Sequence, residues 1–95
     1  MAAIGVLTLE LRLIHAHSLK DKRHVVKGLK DRLRHKYNVA VAEIDYQDSW
    51  KHGLVAAVTV SADRPYAEKL LQSVEREAAS LLGPLLVDAT VEWLA

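Results

Sequence analysis

The sequence has no cysteine, no phenylalanine, one methionine, two prolines and four glycines in 95 residues. Without cysteine there are no disulfides, iron–sulfur clusters, thiolate zinc sites or cysteine nucleophiles, a composition that suits a reducing compartment. No stretch approaches the ~18 uninterrupted apolar residues of a membrane span. The apolar opening from Met1 to Leu13 lacks a basic leader and is interrupted by Glu10 and Arg12, which does not suit a signal peptide. A cytoplasmic location is therefore the expectation. The nucleotide-binding patterns GxGxxG and GxxxxGK[ST], the hydrolase pattern GxSxG and the zinc-protease pattern HExxH are all missing. Neither an enzymatic activity nor a cofactor is expected. Aromatic faces are confined to Trp50, Trp93, Tyr37, Tyr46 and Tyr66.

What is present is charge, unevenly placed. Thirteen Lys and Arg stand against twelve Asp and Glu, a formal balance of +1. Between Lys20 and Lys36, however, eight basic residues face only Asp21 and Asp31, a local balance of +6 that leaves −5 on the rest of the chain. A polyanion would meet these two parts differently, so the net charge says little about partners.

Apolar patterning predicts the elements. Leu7, Leu9, Leu11 and Leu13 alternate with Val6, Thr8, Glu10 and Arg12, as a half-buried strand over 3–13 requires. Ser18, three residues before Asp21, is a capping-box-like start for a helix over 19–36, and Val26, Leu29 and Leu33 share its inner face. Asn38 is placed to end that helix in the left-handed conformation. A second strand follows over 39–45, then a polar connection from Gln47 to Gly53, and a third strand over 54–62. Asp63 and Pro65 open a second helix that runs to Leu82, Gly83 and Pro84 stop it, and residues 85–93 form a fourth strand.

The order β-α-β-β-α-β implies an α+β, ferredoxin-like sandwich in one domain spanning residues 1–95. Two right-handed crossovers set both helices on one face of a four-stranded antiparallel sheet of order 4-1-3-2. With the Leu-rich phase of the first strand turned to the helices, the open face is expected to carry Val6, Thr8, Glu10, Arg12, Val39, Val41, Glu43, Asp45, Val55, Ala57, Thr59, Asp88, Thr90 and Glu92. Part of this face is apolar and part acidic.

At 100° per residue, Lys20, Arg23, Lys27, Lys30 and Arg34 fall within about 80° of one another, a single ridge about 21 Å long. That reach suits several backbone phosphates, although Lys and Arg are also ordinary residues of a solvated helix face. Trp50, in the connection with Tyr46, Lys51 and His52, is a candidate stacking residue, or a side chain folded back over a sheet edge. His15 and His17 point the same way in extended chain, but no third ligand lies near them in sequence, so no metal site is expected. Carboxylates on the open face, Glu10, Glu43, Asp45, Asp88 and Glu92, would need to converge before they supplied acid–base chemistry. The two central strands carry no aromatic residue, which argues against RNA recognition on the sheet face.

Ser18-Leu19-Lys20-Asp21-Lys22-Arg23, Val26, Leu29, Lys30-Asp31-Arg32-Leu33-Arg34, Asn38-Val39-Ala40-Val41-Ala42-Glu43, Gln47-Asp48 and Trp50 resemble the YlxP-like family, small bacterial proteins of unknown function. The likeness covers about residues 3 to 82. Ala40 stands where a small polar residue would be unsurprising, a departure without functional weight. The resemblance implies the ferredoxin-like fold, and a gene often placed among transcription-termination and translation-initiation genes beside a ribosome-binding factor. It implies no catalytic mechanism. Together these readings give an expectation: an accessory protein that binds RNA or a ribosomal particle through the helix ridge, with Trp50 as a second contact. The competing expectation is a structural or regulatory protein that forms a homodimer, or binds a protein partner, through the open sheet face, where Val6, Val39, Val41, Val55 and Ala57 are hard to leave wet together.

Overall fold

The computed structural model describes residues 1–95. Its elements are β1 (Ala3–Arg12), α1 (Leu19–Lys36), β2 (Ala40–Asp45), β3 (His52–Ser61), α2 (Arg64–Leu82), a 3₁₀ turn (Gly83–Leu85) and β4 (Leu86–Trp93). All strand pairs are antiparallel and the sheet order is β2-β3-β1-β4, the ferredoxin-like arrangement.

Local chemistry accounts for the boundaries. The Ser18 hydroxyl accepts the Asp21 N–H at 3.1 Å while Asp21 Oδ2 accepts the His17 N–H at 2.9 Å, a reciprocal cap on α1. At the other end, Tyr37 is extended and Asn38 is not left-handed, contrary to expectation; the positive-φ non-glycine residue is Tyr46, at 62°. Asp63 has the extended backbone of an N-cap but makes no side-chain cap bond, leaving Pro65 as the starting signal of α2.

The core lies between the sheet and the helices. Leu7, Leu9 and Leu11 of β1, with Val55 and Ala57 of β3, meet Val26, Leu29 and Leu33 of α1 and Leu71, Val74 and Ala78 of α2. Six of the residues expected on the open face are in fact turned to the helices. Leu7 pairs with Ala57, Leu9 with Val55 and Gly5 with Thr59, while Val41 and Glu43 pair with Ala57 and Val55. Directly paired residues share a face, so Val41, Glu43, Val55, Ala57 and Thr59 lie inward, as does Val39, which packs against the core. The cause is that both phases of β3 are largely apolar, while in β2 the more apolar phase, Ala40 and Ala42, pairs with the open-face residues Val58 and Ala56, so alternation within neither strand selects the inward face. The open face instead carries Ile4, Val6, Thr8 and Glu10 beside Leu54, Ala56, Val58 and Val60, with Asp88, Thr90 and Glu92 on β4.

Two glycines separate packing from propensity. A Cβ on Gly5 would sit 2.7 Å from both Leu71 and Trp93, whereas one on Gly28, in the middle of α1, would meet nothing within 4 Å. Gly5→Ala is expected to cost about 1–3 kcal/mol through overpacking, and Gly28→Ala to add up to about 1 kcal/mol through helix propensity. Thermal unfolding should therefore shift in opposite directions for the two variants.

Candidate functional site

The helix α1 lies over β2, an edge strand, and between them runs a groove of about 330 Å³ lined by Arg23, Val26, Lys27, Lys30, Asp31, Arg34 and Glu43. Four of the five cations of the sequence-predicted ridge line this groove; Lys20 stands exposed at its N-terminal end.

Tertiary pairing divides the basic segment into neutralised and uncompensated charges. Arg32 and Lys36 turn toward α2, where Glu77 receives Arg32 Nη1 at 3.0 Å and Lys36 Nζ at 2.7 Å. The Tyr37 hydroxyl completes this cluster, its one proton shared between the Ser73 carbonyl at 3.3 Å and Glu77 Oε1 at 3.4 Å. The hydrogen bond from Lys36, followed by the charges of Lys36 and Arg32, holds the Glu77 carboxyl below its ordinary range, and the Lys36 ammonium is correspondingly raised. On the ridge, Lys27 pairs with Asp31 at 2.6 Å. That carboxyl is also held low, first by the Lys27 hydrogen bond and then by the charges of Lys27, Arg34 and Lys30. Lys20, Arg23, Lys30 and Arg34 form no ion pair.

Lys22 differs from all of them. It is 1% exposed, and its ammonium lies 2.7 Å from Glu43 Oε2, in ion-pair contact without the alignment of a hydrogen bond. The same ammonium donates to the carbonyl of Tyr46. A buried cation left without such partners would cost several kcal/mol, so this contact fixes the first turns of α1 against β2 and the following loop. The signal was available in the sequence: Lys22 sits four, seven and eleven residues before Val26, Leu29 and Leu33, inside the apolar stripe.

The loop from Tyr46 to Lys51 is built on that anchor. The Tyr46 carbonyl also accepts the Ser49 N–H at 3.0 Å, and the Ser49 hydroxyl accepts the N–H groups of Lys51 and His52 at 3.3 and 3.2 Å. Lys51 reaches across to the β1–α1 connection, donating to the carbonyls of Ile14 and Ala16 at 3.2 and 2.9 Å. Trp50 does not fold away: it is 41% exposed, with Lys51 Nζ 5.3 Å from its ring centre. Tyr46 is 44% exposed, its ring 5.7 Å from that of His52. Thus the fold brings the predicted ridge and Trp50 to neighbouring parts of one edge, joined through Lys22.

Other sequence candidates do not assemble. No three His, Asp or Glu side chains gather in metal-holding geometry, and His15 and His17 have no third ligand. Glu43 is drawn inward to Lys22, away from Glu10, Asp88 and Glu92. No helix is long and apolar enough to cross a membrane.

Removing the Lys22 ammonium while keeping its length, as in Lys22→Met, leaves Glu43 and the Tyr46 carbonyl without their partner. Urea unfolding should show a loss of about 3 kcal/mol, most of it recovered when Glu43→Leu is added. A smaller loss in the single variant than in the double would contradict this reading.

Comparison with known proteins agrees with this architecture. A curated protein of Bacillus subtilis (strain 168), Uncharacterized protein YlxP, is 41% identical over 71 residues, covering 75% of this chain and 77% of its own length. Among solved structures, the de novo designed protein Foldit4 superposes with a TM-score of 0.63 at 14% identity, covering 100% of this chain and 98% of its own. A dimeric ferredoxin-like protein of unknown function from Thermobifida fusca superposes with a TM-score of 0.51 at 12% identity, covering 97% and 91%. These structural likenesses concern the fold alone. The profile described as "Protein of unknown function (DUF503)" matches residues 4–89, and with the relative from Bacillus subtilis this places the chain in that family of uncharacterised proteins.

Proposed function

We propose that this protein is a non-enzymatic, cytoplasmic accessory protein that binds RNA, in a ribosome-associated setting, through the groove between α1 and β2. The observation that carries this reading is the division of charge. Arg32 and Lys36 are matched by Glu77 and Lys22 by Glu43, whereas Lys20, Arg23, Lys30 and Arg34 keep uncompensated charge along one helix face. Phosphate contacts of this kind supply affinity and orientation but do not read bases. The lack of a recognised catalytic pattern favours a binding role over an enzymatic one.

If each of the four free cations displaces one counterion, log K should fall against log salt with a slope of about 2.8 for single strands and about 3.6 for duplex. Charge reversal at Arg23, Lys30 and Arg34 should abolish RNA binding and ribosome co-sedimentation while the melting temperature stays within a few degrees of the parent. Retained binding in that variant would refute the reading.

A second reading, compatible with the first, is self-association through the open sheet face. It is favoured by the apolar strip of Ile4, Val6, Leu54 and Val58, continued by Val60 at 63% exposure. The Thermobifida fusca protein of similar fold is itself dimeric. Light scattering on the eluting protein should give twice the chain mass, returning to one chain mass in Val58→Lys; a monomeric parent would refute this reading.

A further inference from the structure

We infer that the nucleic acid this protein takes is single-stranded RNA, with its bases stacked at the β2–β3 hairpin tip. The inference rests on the RNA reading above and adds to the ridge a second contact, at the tip, with a different chemistry. At the tip, two exposed aromatic rings stand next to an imidazole and an ammonium group. Tyr46 stands beside His52, and Trp50 stands beside Lys51. Lys51 and His52, together with Arg12 at the end of β1 and Ile14, line an open cavity of about 330 Å³. Arg12 is opposite His52 in the β1–β3 pairing, so the two reach this cavity from adjacent strands. None of the three takes part in an ion pair.

Exposed aromatic faces beside backbone-tracking cations are what unpaired bases require, since every base has a π-face to offer once it is not stacked in a duplex. In an A-form duplex those faces are occupied, and side chains meet only grooves, ribose hydroxyls and phosphates. Geometry adds a second constraint. The ridge runs along α1 on the helix layer, whereas Arg12, paired with His52 at the base of the hairpin, is in phase with Val6, Thr8 and Glu10 of the open sheet face. A chain that contacts both must turn around the tip, which a flexible single strand does at little cost and a stiff duplex does not. The tip is held ready for this: Lys22 and the Ser49 N–H both bind the Tyr46 carbonyl, and Lys51 ties the loop to Ile14 and Ala16.

The test uses the full chain, a labelled 12-nucleotide oligouridylate and a 12-base-pair RNA duplex at one salt concentration. Fluorescence anisotropy should show the single strand bound at least ten times more tightly. Trp50→Ala should weaken single-strand binding by about ten-fold or more, with Trp50→Phe restoring most of it. In a Trp93→Phe chain, where Trp50 is the one remaining indole, the single strand should quench its emission. The anisotropy arm needs no change at Trp93, whose ring packs against the Gly5 position and under Arg64 at 3.9 Å. Equal binding of strand and duplex, abolished by reversal of Arg23, Lys30 and Arg34 but untouched by Trp50→Ala, would overturn the tip site and leave the ridge standing. Binding of neither RNA would overturn both.

Discussion

Burial of the Lys22 ammonium is the constraint on which the edge formed by α1, β2 and the following loop depends. An ion of this size cannot be taken from water without several kcal/mol of compensation, and here the compensation comes from two places at once, the Glu43 carboxylate on β2 and the Tyr46 carbonyl just beyond it. Helix, edge strand and loop are thereby held in one register. Tyr46 takes up a left-handed backbone, a conformation that costs a non-glycine residue of order 1 kcal/mol or more. Its carbonyl is then presented to Lys22 and Ser49, while its ring stands at the surface near His52. One buried charge therefore sets where the exposed aromatic residues lie relative to the exposed cations.

A similar division governs the rest of α1. Its cations fall into a set that holds the molecule together and a set that does not. Glu77 draws Arg32 and Lys36 to the helix–helix side, fastening α1 to α2 through residues that do not line the groove. The opposite side keeps Lys20, Arg23, Lys30 and Arg34 without ion pairs, and the Asp31 carboxyl there is held low first by the Lys27 hydrogen bond and only then by the charges of Lys27, Arg34 and Lys30. Net charge, near zero for the whole chain, conceals this arrangement, and even the local balance of +6 mixes the two sets. What a polyanion would meet is the unpaired remainder along one face.

Element order and the helix spans were legible in the sequence because each helix has a start or stop signal and an apolar stripe of helical period, and because β1 alternates cleanly, whereas β3 begins at His52, inside the segment read as a polar connection. The facing of β2 and β3 was not. Where Leu54, Ala56 and Val58 alternate with Val55, Ala57 and Thr59, both faces are apolar enough for burial, and only pairing with Leu7 and Leu9 decides between them. The ridge was readable from angle alone. Lys22 was readable in the same way, since it lies at the angle of Leu29 and Leu33, yet counting it with the other cations hid the fact that a lysine at a core angle needs a partner. Glu43, the partner, occupies an inward strand position for the same reason. The exposure of Trp50 and the proximity of Arg12 to His52 depend on loop geometry and strand register, which no local pattern encodes.

If the α1 ridge and the hairpin tip form one continuous surface for single-stranded RNA, backbone amide chemical shifts recorded with an unlabelled oligouridylate will move at Lys20–Arg34 and Tyr46–His52, extending to Arg12, with the Glu77 side of α2 and strand β4 unmoved. Shifts confined to the open sheet face, or spread without pattern over both helices, would contradict it.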